Sequence, residues 1–541
     1  MINKLNILDN EFIWLSLILI AITSLFLITL AMNHSEAEDS VRYIYEVTKV
    51  PSTLSLYDPN HILFNSFNRV VYELWLFLGY KGNAELPMQI NNVIAGIVTL
   101  FLVYLIARRL EMSVYFSLLC LAMVSMSYGF WRYSVEAETY ILPLPFILLS
   151  AHRLMIIAES RLEYRHFFLL GLFIAMATLF HQQHVLLIFI APLAIIFLQK
   201  PQMSGRVILF FCASGAIIAA VYFPVAIFLA EQSELGEIIK WSQGKAAEGL
   251  WTPWAWTNPL KSILGLLRTI WGTLCLFGFP WFEALMAKLF PLKPLMEERL
   301  VAQSLSTWQL WLCLIMVAIS SICAVILSVL AVRRTELNPR AIGFLIFAVP
   351  MLCVYAIFNT LWEPLNIEFW IALLPFIYLV LMLFITRSRF IPFAFVVALL
   401  IGNLLGSILP QTDRNTDYCY ICYQYFMRHA QADDYIITGS GYMCSNYLYL
   451  YTDAKLFDVT QIEGIRRESS VIDWINRILN HQPGRVLISS TVFEPPSMSD
   501  INRRSYQKVI EALKPLRKLM KKVYADDFQV VWELRKHNGN L

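Results

Sequence analysis

Met32-Asn33-His34-Ser35-Glu36-Ala37-Glu38-Asp39-Ser40-Val41-Arg42-Tyr43 leaves the end of the first apolar run of the chain. Glu36, Glu38 and Asp39 put three carboxylates within four residues, where a lipid-buried helix would surface. A near copy, Ser134-Val135-Glu136-Ala137-Glu138-Thr139-Tyr140, stands between two later apolar runs. A third acidic segment, Leu361-Trp362-Glu363-Pro364-Leu365-Asn366-Ile367-Glu368-Phe369-Trp370, stands between two more. The reading of the chain turns on whether the three share one face of a membrane.

That there is a membrane follows from composition. Of 541 residues, 58% are hydrophobic and 15% charged, far from a soluble globular protein. The expected fold is a mainly α, polytopic membrane protein with about eleven transmembrane helices and a small soluble C-terminal α/β domain. The net charge of +3 identifies no partner, and no nucleic-acid partner is expected. Phe12 to Met32 lacks a small-residue cleavage site and reads as a retained signal-anchor. Further spans are expected at 87–107, 112–130, 139–158, 166–180, 185–198, 207–230, 308–332, 341–358, 366–385 and 390–408.

Basic residues gather in alternate connections: Arg108-Arg109, Arg153 to Arg165, Lys200 to Arg206, Arg333 to Arg340 and Arg387 to Arg389. Positive charge marks cytoplasmic loops, so the amino terminus is expected to be cytoplasmic. All three acidic segments then face the opposite side. The basic loops fix that orientation, so the convergence of the acidic ones is independent of it. The apolar stretch 262–282 is expected to be re-entrant or interfacial. The stretch 61–80 should lie in the interface as an amphipathic helix, and Trp241, Trp251, Trp254 and Trp256 should sit at headgroup depth.

Two domains are expected, a transmembrane catalytic domain over 1–410 and an extracytoplasmic α/β domain over 411–541. The second alternates short strands (434–439, 456–460, 485–491, 528–535) with helices over 469–481 and 499–513. About 130 residues suffice for one core. A disulfide between two of Cys419, Cys422 and Cys444 is expected, the pair being left open. Cys120, Cys212, Cys275, Cys313, Cys323 and Cys353 lie in or beside apolar runs and read as packing residues.

A carboxylate just outside the bilayer can act as a general base toward a hydroxyl. Asp39 is the first candidate, with Glu36 and Glu38 behind it; if 36–43 is helical, Glu36 and Asp39 share a face and Arg42 lies a turn further on. Glu136 and Glu138, with Arg132 before them and Tyr140 after, are expected at a helix start. There they complement the dipole, position sugar hydroxyls, or join Asp39 around a divalent cation, Mg²⁺ or Mn²⁺. His181 and His184 are three residues apart where a span surfaces, and phosphate or hydroxyl contact is preferred to metal. Asp58-Pro59-Asn60-His61 is a turn whose imidazole binds a phosphate or caps a helix. Pro364 reads as the first turn of the next helix, flanked by Glu363 and Asn366. Glu368 falls just inside the span, where an ionisable group is expensive and so a functional candidate.

Taken together, Glu38-Asp39-Ser40-Val41-Arg42-Tyr43, Leu56-Tyr57-Asp58-Pro59-Asn60-His61-Ile62-Leu63-Phe64-Asn65, Tyr133-Ser134-Val135-Glu136-Ala137-Glu138-Thr139-Tyr140 and Trp362-Glu363-Pro364-Leu365-Asn366 resemble the GT-C superfamily of integral-membrane glycosyltransferases, protein O-mannosyltransferase-like members among them. The resemblance implies a polyprenyl-phosphate-linked sugar donor and an acidic residue of the first outer loop as catalytic base, here Asp39. It implies displacement with inversion onto a glycan, lipid or protein acceptor at the non-cytoplasmic face, in a bacterial inner membrane. The Asp-Glu pair typical of O-mannosyltransferases is Asp39-Ser40 here, and there is no Trp-Trp-Asp signature, so sugar and acceptor stay open. The rival reading is a transporter of lipid-linked sugars or other solutes. It predicts internal repeats and midplane charges, whereas the ionisable residues cluster at one face.

Overall fold

A computed structural model describes residues 2–37, 39–50, 54–159, 163–197, 204–247, 249, 251–289, 296–331, 337–385, 388–460, 484–493, 507, 509–511 and 513–534. The chain divides into two compact units. The first comprises Met1–Ala31, Glu46–Gly278 and Leu305–Thr412; the second comprises Met32–Tyr45, Phe279–Ser304 and Asp413–Leu541. The second therefore takes in, besides the tail, two stretches that the sequence placed with the membrane part.

The first unit is helical. Among the described residues, seven helices are long and apolar enough to cross a membrane: Glu11–Ile28, Glu85–Arg109, Gly205–Phe228, Thr307–Ala331, Pro339–Leu361, Ile367–Phe384 and Phe390–Ile408. Val114–Met126 and Tyr128–Ser134 make an eighth if counted as one span bent by 69°. Leu144–Ala158, Tyr164–Phe180 and Gln182–Phe197 are shorter apolar helices. Each apolar stretch expected to span is largely helical over its described residues, and the chain is polytopic.

The surface these helices present is what lipid requires. On Thr307–Ala331 the exposed large apolar side chains are Trp308, Trp311, Ile315, Ile319, Ile322, Val325, Ile326 and Val329, mostly at intervals of three and four. Cys313, Ser320, Cys323 and Leu327 are buried on the same helix. Apolar outside and small or polar inside inverts the pattern of a soluble helix, because lipid tails solvate Leu and Ile as well as a protein core does. Phe64–Phe77 is a helix within the stretch 61–80, amphipathic as expected. It exposes Phe67, Val70, Leu74 and Phe77 and buries Asn65 and Asn68, with Asn65 Nδ2 donating to Glu46 Oε2 at 2.7 Å.

The expected re-entrant stretch 262–282 is not one helix. Asn258–Ile270 ends where Trp271 turns extended, a 3₁₀ turn covers Leu274–Gly278, and Pro280–Leu289 starts in the other unit. At Gly272 a Cβ would meet the side chains of Ser407 and Tyr128, so the break is a close approach.

At one end of the bundle the basic connections lie together: Glu159 takes Arg109 Nη2 at 2.9 Å and Arg340 Nε at 2.5 Å, while Arg108 Nε reaches Glu11 Oε1 at 2.7 Å. Other connections meet through Asn60: its carbonyl accepts the Gln182 amide at 2.7 Å and its Oδ1 the Lys245 amide at 3.2 Å.

The second unit carries a five-stranded sheet: β1 (Tyr435–Thr438), β2 (Lys455–Asp458), β3 (Val486–Ser489), β4 (Met520–Ala525) and β5 (Val530–Leu534), in the order β2-β1-β3-β5-β4. β1 is parallel to β2 and β3, while β5 is antiparallel to β3 and β4. β1, the helix Gly441–Tyr451 and β2 form a βαβ crossover. Ile437, Val486, Ile488 and Leu534 fill the core with Val492 and Leu513. Four strands fall where expected. β4, Met-Lys-Lys-Val-Tyr-Ala, went unread because an edge strand carries charge, here Lys521 and Lys522, where a half-buried one would alternate. The helix expected over 469–481 lies outside the described residues; of that over 499–513 only 507, 509–511 and 513 are described, as helix. Cys419 pairs with Cys444, Cα atoms 4.9 Å apart, joining the helices Tyr418–His429 and Gly441–Tyr451. Cys422 is free and buried.

Candidate active site

The first unit builds its polar centre on the connection between Tyr128–Ser134 and Leu144–Ala158. This connection was expected to be a helix start, but the helix begins at Leu144, after Pro143, so Glu136 and Glu138 sit in an irregular loop. Buried Asn92 holds that loop, its Nδ2 donating to the carbonyls of Glu136 and Glu138, both at 2.6 Å. The Glu136 carboxylate takes Arg132 Nη1 at 2.6 Å and its neighbour's amide, Ala137 N, at 2.9 Å. The Glu138 carboxylate accepts Thr139 N at 3.0 Å.

Glu368 lies beside this loop. It was expected just inside a span, and it is the second residue of Ile367–Phe384, in the 3₁₀ turn Ile367–Leu373 that opens that span, capped by Asn366; Pro364 lies in the turn before and not at a helix start. Its Oε1 accepts from Tyr140 at 2.7 Å and from Asn366 Nδ2 at 2.8 Å, and its Oε2 accepts from Tyr133 at 3.0 Å. Asn366 Nδ2 also donates to exposed Glu363 at 3.0 Å. A carboxylate with donors on both oxygens is fixed in place.

Tyr140 links this carboxylate to the histidines. Its ring centre lies 4.7 Å from that of His181, which lies 5.7 Å from that of His184. His184 Nδ1 is 2.9 Å from Tyr355 Oη, and His181 Nδ1 accepts the Gln183 amide at 3.3 Å. Burial holds the His181 imidazole well below the ordinary histidine range, and His184, His61 and Lys245 push the same way. His61 comes from the Asp58 turn, where Asp58 Oδ1 accepts the Asn60 amide at 2.8 Å and lies 3.9 Å from His61 Nε2. Asp58, His61, Tyr140, His181, His184, Glu363, Asn366 and Glu368 are thus gathered in this unit, with the Arg132–Glu136 pair at the connection that carries Tyr140. Sequence reasoning missed Lys245, Tyr133 and Tyr355. For Lys245 the signal was Gly244, whose φ of +52° marks a tight turn presenting the next residue.

Asp39 and Arg42 belong to the second unit. Glu36, Ala37 and Asp39 are not helical, and the helix Ser40–Lys49 starts after Asp39, whose carbonyl takes the Tyr43 amide at 3.0 Å. The Asp39 carboxylate accepts Tyr442 Oη at 2.9 Å on Oδ1 and Tyr43 Oη at 3.3 Å on Oδ2, and Arg42 Nη1 donates to Tyr442 Oη at 2.8 Å. Glu36, half-buried, is in a turn, and Glu38 lies outside the described residues. Asn33 Nδ2 donates to the Thr416 carbonyl at 2.8 Å and the His34 amide to buried Asp417 at 2.8 Å, which ties this acidic stretch to the tail. Among the described residues no group of three or more His, Cys, Asp or Glu side chains could hold a metal ion.

No curated protein sequence matches the chain. Among solved structures, ArnT from Cupriavidus metallidurans in the apo state is 12% identical over 97% of this chain and 98% of its own, with a TM-score of 0.43. The same protein bound to undecaprenyl phosphate is 12% identical over 96% and 98%, with a TM-score of 0.40. The archaeal oligosaccharyltransferase AglB from Archaeoglobus fulgidus, in complex with an inhibitory peptide and a dolichol-phosphate, is 10% identical over 89% of this chain and 70% of its own, with a TM-score of 0.44. Residues 70–228 match the family described as dolichyl-phosphate-mannose-protein mannosyltransferase.

Proposed function

From the premise that residues 70–228 carry the pattern of the dolichyl-phosphate-mannose-protein mannosyltransferase family, which bears out the GT-C resemblance, we propose a membrane glycosyltransferase. It moves a sugar from a polyprenyl-phosphate carrier to an acceptor hydroxyl. The observation that supports it is the cluster around Glu368. Within and beside the matched segment, a carboxylate held by two tyrosines stands next to buried imidazoles and Lys245, a donor set for sugar hydroxyls and a phosphate.

The Asp39 carboxylate takes the proton of the acceptor hydroxyl. The acceptor oxygen forms its bond to the anomeric carbon as the carbon–oxygen bond to the carrier phosphate breaks, and polyprenyl phosphate leaves with that electron pair. One displacement inverts the anomeric configuration. Lys245, His61, His181 and His184 contact the phosphate, and Glu368, Asn366 and Tyr140 contact sugar hydroxyls. We place the chemistry on the non-cytoplasmic face of a bacterial inner membrane, with eleven crossings and a cytoplasmic amino terminus. Acceptor hydroxyls on glycan, lipid and protein all remain open.

Glu136 and Glu138, the carboxylates proposed with Asp39 for a Mg²⁺ or Mn²⁺ ion, already accept hydrogen bonds from Arg132, Ala137 N and Thr139 N, and no step above passes through a cation. Turnover that survives EDTA agrees with those steps; loss on chelation and recovery with Mg²⁺ or Mn²⁺ returns the cation to them.

The test is transfer of labelled sugar from a membrane lipid extract by purified protein, against Asp39→Asn. Turnover by the first with an inverted product, and loss of at least ~100-fold in the second, is expected. No turnover from any lipid pool overturns the transferase in favour of the transporter.

A further inference from the structure

We propose that Tyr442 is the positioning residue of the base, holding the Asp39 carboxylate in the orientation from which it takes the acceptor proton. This rests on the assignment of Asp39 as base made above. Tyr442 is 403 residues away in sequence, and its hydroxyl stands between the two charges that matter: it accepts from Arg42 at 2.8 Å and donates to Asp39 at 2.9 Å. A phenol that accepts from a guanidinium is polarised, and its own O–H becomes a stronger donor. Tyr43 supplies a donor to the other carboxylate oxygen.

The mounting of Tyr442 is rigid. β1 ends at Thr438, and at Gly439 a Cβ would run into the Thr491 carbonyl, so the chain passes hard against the next strand's end. Buried Ser440 bonds Ser445 at 2.8 Å and Asp458 at 3.0 Å. Gly441, at φ +76°, then turns the backbone into the helix that starts with it, a conformation a side chain would resist. Two residues past Tyr442, Cys444 is tied to Cys419. The ring is therefore set by a strand end, a glycine turn and a disulfide, the support that a base needs if it is to meet its substrate within a fraction of an ångström. Burial and the Asp39 charge raise the Tyr442 phenol against the opposing effect of Arg42, so it keeps its proton.

Tyr442→Phe keeps the ring and removes the donor. Expected are a kcat about tenfold lower, a KM for the lipid donor within about twofold, and an unchanged melting temperature with the disulfide formed. In the Asp39→Asn background the same change should leave the residual rate where it was, because there is no carboxylate left to orient. An equal fall in both backgrounds means that the tyrosine supports the fold, and overturns the proposal. If Asp39→Asn abolishes turnover while Tyr442→Phe keeps the wild-type kcat, the base stands and the positioning role falls; full turnover by Asp39→Asn overturns both. Resonance Raman difference spectra of wild type and Tyr442→Phe read the same contact without turnover. The Tyr442 doublet should report a strong donor and change in Asp39→Ala, and an unchanged doublet overturns the proposal.

Discussion

Arg132 and Glu136, one helical turn apart and both essentially inaccessible to solvent, form an ion pair of 2.6 Å inside the first unit. Taking one partner away leaves the other charge buried alone, which is worse than never having had the pair. Arg132→Met should therefore destabilise the protein by about 3 to 5 kcal/mol, and Glu136→Gln by somewhat less because the amide still accepts from Arg132. Chemical denaturation in detergent checks both, and the double variant Arg132→Met with Glu136→Leu should recover much of the loss.

Glu368→Gln should lower kcat/KM by about 10- to 100-fold, since a charged acceptor of three hydrogen bonds becomes a neutral group with an N–H turned toward a donor. Tyr140→Phe and Tyr133→Phe each remove one bond and should fall by less. Steady-state kinetics of the three, with expression levels matched, separates the carboxylate from its holders.

Removing the Cys419–Cys444 bridge frees a loop of 25 residues in the unfolded chain and should cost about 3 kcal/mol. Cys419→Ser with Cys444→Ser should melt at a lower temperature in oxidising buffer. The wild type should fall to the same temperature under reductant, while Cys422→Ser leaves the bridge and its response to reductant in place.

Asp434 gives the second unit an acid limit. Burial would raise its carboxyl pKa, but hydrogen bonds from Arg485 and the amides of Gln431 and Arg485, with the Arg485 charge, outweigh burial and hold it below the usual range. The unfolded chain then binds the proton more tightly. This stabilisation is complete above the unfolded-state pKa of about 4 and is lost as pH falls through the folded value. Calorimetry from pH 7 to 3 should show melting drop below about pH 4, and Asp434→Asn should melt lower at pH 7 with the drop flattened.

Much of this architecture could be read from the chain because lipid imposes a one-dimensional rule: Phe12 to Met32, 308–332 and 390–408 are apolar over a bilayer's width, and Glu11–Ile28, Thr307–Ala331 and Phe390–Ile408 are helices in the structure. The candidate site was legible as a set of residues and not as a set of contacts. Glu368 was visible as an ionisable group at a span's edge, but its holders Tyr140 and Tyr133 lie 228 and 235 residues earlier. The Glu136 loop was misread as a helix start because acidic residues favour that position; Asn92, which fixes the loop instead, looks like any polar residue within a span. Likewise nothing near Asp39 announces Tyr442, since glycine turns such as Ser440-Gly441 are common and their partner is set by the fold.

The bonds from Asn33 to Thr416 and from His34 to Asp417 have a temporal consequence. Their two ends are 383 residues apart, so the stretch around Asp39 emerges early in synthesis and waits for partners made near the end. At ordinary elongation rates that wait is about 20 to 80 s, during which the bundle is already being threaded into the bilayer. A ribosome that stops short of residue 416 leaves a chain whose membrane segments are all present and whose acidic stretch has no tail to dock on.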